Sequence, residues 1–102
     1  MYIAMNRFPI AAGKEETFEK TWKDRERFLQ KVDGFRSFQL LRGPEKEGRR
    51  VFISHSTWET EAAFLAWTES AAFRSAHADA RTPAGVVLGP PQFEGFEVIL
   101  TD

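Results

Sequence analysis

The sequence predicts an α+β fold of the split βαβ, or ferredoxin-like, type, with helices on one face of an antiparallel sheet. The first observation is the order of strand-like and helix-like segments, which is strand, helix, strand, strand, broken helix, strand. The second is size, because 102 residues with 42% hydrophobic side chains suit one core. The third is the absence of internal repeats and low-complexity segments. We therefore expect a single domain over residues 1–102.

The first half of the chain predicts one strand and one long helix. Residues 1–8 form the strand, which is apolar on both faces for most of its length and which Pro9 is expected to end. Residues 14–32 predict the helix, because apolar side chains recur at helical spacing among Lys and Glu. The inward stripe consists of Phe18, Trp22, Arg25, Leu29 and Val32.

A hairpin and a broken helix are predicted next. Residues 35–42 and 51–58 alternate as strands do, and the turn-rich segment GPEKEGRR between them favours antiparallel pairing. A helical region then begins at Thr60 and extends to about Arg81. It is broken near Ser70, because Thr60 and Ser70 each precede an apolar run as an N-cap residue does.

The last predicted elements are a loop over residues 82–91, fixed by Pro and Gly, and a strand over residues 92–100. The strands carry apolar residues on both sides, as Ile3 and Met5 do on the face opposite Tyr2. Helices can cover only one of these faces. A second copy of the chain is the simplest cover for the other face, so we predict a homodimer.

Composition excludes several classes of function. The net charge is −1 and the Lys and Arg residues are scattered, so we expect no nucleic-acid partner and no binding to anionic membranes. No apolar run reaches bilayer length and no signal-peptide pattern follows Met1, so we expect a cytoplasmic protein. The chain has no Cys, which excludes disulfides, thiolate nucleophiles and Cys-ligated metals. Ten Phe, three Trp and one Tyr exceed the needs of one small core and indicate a further buried surface.

His77 is the candidate metal ligand. On the predicted helix face it lies between Ala76 and Ala80, whose small side chains leave room for a flat group at the imidazole. No second His or carboxylate stands at ligand spacing, so haem iron suits this site better than zinc. The residues alone leave open a purely structural histidine.

Four other residues have two interpretations each. Asn6 interrupts an apolar strand and either donates to a ligand oxygen or bonds a loop backbone. Trp67 is either a core aromatic or a wall against a planar ligand. Arg25 either extends to the surface or pairs with an anion such as a haem propionate. His55 is assigned to structure or to the dimer interface.

The whole chain resembles the antibiotic-biosynthesis-monooxygenase (ABM) superfamily, through TWETEAAFLAW (residues 57–67) following GFRSFQLLR (residues 34–42). A more specific resemblance is carried by three motifs, MNRF with Asn6, FLAW with Trp67 and FRSAH with His77. This trio resembles the catalytic set of haem-degrading monooxygenases of the iron-regulated surface determinant type.

The resemblance implies a dimeric α+β barrel with one haem per subunit. It gives His77 the role of axial ligand to the haem iron, and Asn6 that of hydrogen-bonding dioxygen. Trp67 crowds the porphyrin and ruffles it, while Trp22 and Arg25 lie on the pocket side of the first helix. Haem is then both substrate and cofactor, O2 is the oxidant, and a reductase or small reductant supplies electrons until the ring opens and iron is released.

Other functions remain open at this point. A cofactor-free ABM-type monooxygenase would oxidise a quinol or polyketide aromatic, with Trp and Asn lining its pocket but with no histidine as an iron ligand. A non-catalytic haem-binding protein would store or carry the same ligand without degrading it. A dimeric stress-response domain would bind no ligand.

Overall fold

The computed structural model describes residues 1–24, 29–71, 73 and 84–102. The elements are β1 (Tyr2–Ala11), α1 (Glu15–Lys23), a 3-10 turn (Leu29–Lys31), β2 (Phe35–Lys46), β3 (Arg49–Trp58), α2 (Glu61–Thr68) and β4 (Gln92–Glu97). The strands form one antiparallel sheet in the order β2-β3-β1-β4. This is the strand order of a split βαβ unit, so the predicted fold is confirmed.

The first strand is longer than predicted, and Pro9 does not end it. The pairing of β1 with β3 continues to Ala11, whereas its pairing with β4 stops at Arg7. Beyond Arg7 the neighbour of β1 is the loop before β4, where the Leu88 N–H donates to the Pro9 carbonyl at 2.7 Å. Proline keeps its carbonyl as an acceptor, so it is tolerated where the regular ladder ends.

The hairpin of β2 and β3 is confirmed, but its turn is tighter than the predicted eight-residue connection. Glu47 and Gly48 have φ of 52° and 77° and form a two-residue turn. Positive φ at both positions matches the twist of the flanking strands. Most residues that the sequence pattern assigned to the turn lie in the strands, since β2 continues to Lys46 and β3 begins at Arg49, and the register shift between Arg42 and Glu45 accommodates one extra residue of β2.

The helices agree with the sequence pattern in part. α1 ends at Lys23, and Leu29–Lys31 form a 3-10 turn rather than part of one helix over residues 14–32. α2 begins at the predicted N-cap, where the Thr60 hydroxyl accepts the Ala63 N–H at 3.1 Å. The Ser70 hydroxyl accepts the Phe73 N–H at 3.1 Å, as the second predicted N-cap requires. None of the described helices is long and apolar enough to cross a membrane.

Two aromatic clusters lie between the sheet and the helices. The α2 cluster is built on Tyr2, Ala4, Trp58 and Phe64, with Trp67 packed against it. The α1 cluster is built on Ile10, Phe18, Phe52 and Val86, with Phe8 and Trp22 packed against it. Each helix therefore covers one end of the same sheet face, and the middle of that face lies between them.

The close packing of Tyr2 gives a stability prediction for Gly95. A Cβ at Gly95 would overlap the Tyr2 hydroxyl and lie 2.7 Å from the ring carbon Cζ. Because Tyr2 is held in the α2 cluster, we expect Gly95→Ala to lower the free energy of unfolding by about 1–3 kcal/mol in urea denaturation. Gly89→Ala is the control, since its Cβ would meet only Pro9 Cγ, at 3.8 Å. Equal stabilities of the two variants would contradict this packing.

Candidate functional site

Four small side chains occupy the middle of the helix-facing side of the sheet, and we call them the central floor: Ala4, Asn6, Ser54 and Ser56. Along β1 and β3 the residues that face the helices alternate with those that face away. Ala4 is paired with Ser56 and Asn6 with Ser54 in the antiparallel register. Their neighbours along the strands, such as Phe8 and Phe52, are large aromatics. The sequence thus places short side chains between the large aromatic side chains of the two clusters, and Ala4 and Ser54 are buried there, at 4% and 8% exposed.

Two polar side chains of the central floor make no hydrogen bond to any residue that the structure describes. Asn6 is half-buried and Ser54 is only 8% exposed. Ser56 differs, because its hydroxyl donates to the Ala4 carbonyl and accepts the Trp58 Nε1–H at 2.9 Å. Among the described residues, only His55 Nδ1 is a fully buried side-chain polar atom without a partner, so the polar atoms of Asn6 and Ser54 keep some exposure and are available to a ligand. The predicted alternative for Asn6, a bond to a loop backbone, is not seen among the described residues.

Trp22 forms the wall on the α1 side of the central floor. Its ring stacks on Phe38 with centroids 5.5 Å apart and an angle of 17°, and it meets Phe8 edge-on. The wall is therefore rigid, with the half-buried indole fixed by contacts to β1 and β2. Trp22 thus lies on the helix-facing side of the sheet, and its pocket-facing role stays a prediction.

Trp67 forms the wall on the α2 side. Its ring lies 5.4 Å from Trp58 and 4.7 Å from Phe73, edge-on to the latter. Trp67 is thus a packed aromatic, as its structural interpretation requires, and its side chain is half-buried. Beside it, Phe64 stacks on Phe93 at 5.6 Å, and Phe93 is the partner of Asn6 on β4.

Tyr2 is a neutral member of the α2 cluster. Burial, and secondarily the negative charge of Glu61, raises the pKa of the Tyr2 phenol. The hydroxyl therefore keeps its proton at neutral pH and cannot serve as a base there.

The opposite face of the sheet, which we call the outer face, is apolar at its edges. No described element packs on it, and Leu41 on β2 and Phe96 on β4 are 39% and 49% exposed. Arg7 and Glu94 form an ion pair of 2.5 Å between β1 and β4 on this face. His55 also lies here, opposite Met5, and its buried Nδ1 has no hydrogen-bond partner within the described chain.

The predicted site residues have different outcomes. Asn6, Trp22 and Trp67 all lie on the helix-facing side, with Asn6 between the two walls. His77 and Arg25 lie outside the described residues, so their roles stay predictions. Ser54 was not predicted. The described residues contain no group of three or more His, Asp or Glu side chains that could hold a metal ion.

Known proteins match nearly the whole length of this chain in sequence. A family model described as antibiotic biosynthesis monooxygenase matches residues 1–79. A Mycobacterium tuberculosis protein named heme oxygenase (mycobilin-producing) is 35% identical over 98 residues, covering 96% of this chain and 89% of the relative. A Shouchella clausii protein named heme-degrading monooxygenase is 35% identical over 101 residues, covering 97% and 92%.

A solved structure extends the similarity to three dimensions. The M. tuberculosis heme-degrader MhuD, with two hemes bound in its active site, superposes with a TM-score of 0.77 at 30% identity, covering 100% of this chain and 99% of that one. The whole chain is thus matched in sequence and in fold. By these matches, and as the resemblance implied, the chain belongs to the antibiotic biosynthesis monooxygenase family.

Proposed function

We propose that this protein is a haem-degrading monooxygenase that binds haem as its substrate and opens the porphyrin ring. The observation that carries the proposal is the Asn6 amide on the central floor, which has no hydrogen bond to a described residue and lies between the Trp22 and Trp67 walls. Relatives that are 35% identical over nearly the whole chain bear the names of haem-degrading enzymes.

The residues present fit a porphyrin. A porphyrin is a broad, flat, apolar ring that needs aromatic or aliphatic walls and a few polar groups near its centre. Trp22 and Trp67 are held in place by aromatic neighbours and can flank such a ring. The central floor presents small side chains and two hydrogen-bonding groups rather than bulky ones, which leaves room for a small ligand on that side of the ring.

Each site residue has a defined task in this proposal. His77 would bind the haem iron and fix the position of the ring. Asn6 would donate a hydrogen bond to the oxidant and orient it. Trp67 presses on the porphyrin, while Trp22 closes the α1 side and excludes water. Arg25 pairs with a propionate.

The redox chemistry of the reaction is a property of the ligand rather than of the protein side chains. When bound, haem supplies the redox chemistry, since it accepts electrons from a reductase or small reductant, activates O2 and is itself opened with release of iron. The protein contributes ligation, orientation and a dry pocket. We further propose that this takes place in the cytoplasm, where reducing equivalents are available.

The function is tested by adding hemin to the purified protein and recording the Soret band, then adding ascorbate in air. We expect a Soret band that decays as iron appears in a chelator assay. A stable band would support a haem carrier instead. No band would contradict the proposal and favour a cofactor-free oxygenase, which an assay with a quinol substrate would then test.

Asn6→Ala is expected to separate binding from turnover. Since Asn6 makes no hydrogen bond to a described residue, its removal leaves the fold and hemin affinity nearly unchanged. Loss of one hydrogen bond to a polar ligand slows turnover by about 10-fold or more. Single-turnover decay of the Soret band measures the rate, and hemin titration measures the affinity. An equal loss of both would show that Asn6 serves structure.

We also propose that the protein is a homodimer formed by the outer faces of two sheets. The exposed Leu41 and Phe96 provide apolar area at both edges of this face. Arg7 and Glu94 form an ion pair on it, and a two-fold axis that passes close to this pair would place each acid of one copy near a base of the other. The site lies on the opposite face of the sheet and stays accessible in such a dimer.

A further inference from the structure

Ser54 is the only buried polar residue among those that the structure describes. It lies at the middle of β3, between Phe52 of the α1 cluster and Trp58 of the α2 cluster, on the face towards the helices. In the sheet it is paired with Asn6 on β1 and with Leu40 on β2. The hydroxyl makes no hydrogen bond to a described residue.

A serine at this position lowers stability. A central strand between two apolar clusters favours Val or Ile, which fill the space and leave no polar atom unsatisfied. Ser56, two residues along the same face, has a structural reason to be Ser because it bonds the Trp58 indole and the Ala4 carbonyl. Ser54 has no such reason within the described chain.

We propose that the Ser54 hydroxyl is a second hydrogen-bond donor of the site, which acts with the Asn6 amide on the small ligand held over the central floor. Residues directly opposite in an antiparallel pair have Cβ atoms about 5 Å apart, so an acceptor above the midpoint is within reach of both side chains. Two donors on one acceptor favour an anionic or strongly polar ligand over a neutral one. This inference rests on the proposed function, because the ligand lies between the floor and the haem.

The test uses Ser54→Val, which replaces the hydroxyl and one hydrogen of Cβ with two methyl groups. In the haem-free protein we expect the variant to melt at or above the wild-type temperature, by up to about 5 °C, because an apolar β-branched side chain replaces a polar one between two apolar clusters. In the ferric haem-loaded protein we expect azide to bind about 5–10-fold more weakly, while hemin affinity changes by less than about 3-fold.

Two variants are matched controls. Ser54→Thr keeps the hydroxyl at the same position and is expected to keep wild-type azide affinity. Ser56→Val removes the acceptor of the Trp58 Nε1–H and is expected to lower the melting temperature. The two Val variants therefore shift the melting temperature in opposite directions, although they lie on one face of one strand.

The outcomes separate this inference from the proposed function. Wild-type azide affinity in Ser54→Val, with hemin binding intact, would overturn the inference and leave the proposed function standing. A melting temperature that falls as it does in Ser56→Val would also overturn it, since it would show a structural hydrogen bond. Failure of the wild-type protein to bind hemin would overturn both.

Discussion

Replacement of His77 by Ala is expected to abolish haem turnover and to weaken hemin binding by at least about 100-fold. As the proposed ligand of the haem iron, His77 would hold the ring in place, so its loss would remove both affinity and orientation. Hemin titration by the Soret band measures binding, and ascorbate-driven decay of that band measures turnover. Imidazole added at millimolar concentration should restore part of the Soret spectrum, because it can enter the space that the side chain leaves.

The chain offers a matched control, since it contains two histidines, His55 and His77. His55 lies on the outer face of the sheet, opposite Met5, and the central floor is on the other side. His55→Ala should therefore keep the wild-type Soret band and turnover. A fully active His77→Ala protein, or a Soret band lost only in His55→Ala, would contradict the assignment of the iron ligand.

The fold could be predicted from sequence because its signals are local. Alternating apolar residues mark β2 and β3, and the hydroxyls of Thr60 and Ser70 form the two helix caps that were predicted. The errors come from non-local effects. Pro9 stays within β1 because the pairing of β1 with β4 does not extend past Arg7, so no β4 residue needs an N–H from Pro9. The first ten residues alone cannot show where this pairing stops.

The site could be predicted only in part. The residues alone left two interpretations each for Asn6 and Trp67, and the resemblance to haem-degrading monooxygenases gave them site roles; the structure places both on the helix-facing side of the sheet. Ser54, which we propose as a further site residue, was not predicted because a serine in a strand is unremarkable by itself. The signal was nevertheless present, since counting by two from Phe52 to Trp58 puts Ser54 on the buried face.

Along β1, even-numbered and odd-numbered side chains lie on opposite faces of the sheet, the first on the face of the proposed site and the second on the outer face of the proposed dimer. The even-numbered side chains Tyr2, Ala4 and Asn6 face the helices and the site, whereas the odd-numbered Met5 and Arg7 face outwards. A one-residue slip in register would exchange the two sets. The outer face can therefore be altered without touching the central floor, and this makes the proposed dimer separately testable.

The double variant Leu41→Asp/Phe96→Asp is expected to convert the dimer into monomers. Both side chains are exposed in the single chain and lie on the outer face, at opposite edges of the sheet, so the monomer core is unchanged. Each dimer would lose four apolar side chains and gain four carboxylates at its interface. The dissociation constant should rise by at least about 1000-fold.

Sedimentation equilibrium measures this change directly, since the wild-type protein should have twice the 11.7 kDa mass of the chain and the variant that mass alone. Leu65→Asp is the control, because Leu65 is 49% exposed on α2, away from the outer face. The monomeric variant should still bind hemin, as the site lies across the sheet. A wild-type monomer at micromolar concentration, or a double variant that remains dimeric, would show that the outer faces do not form the interface, whatever the protein does with haem.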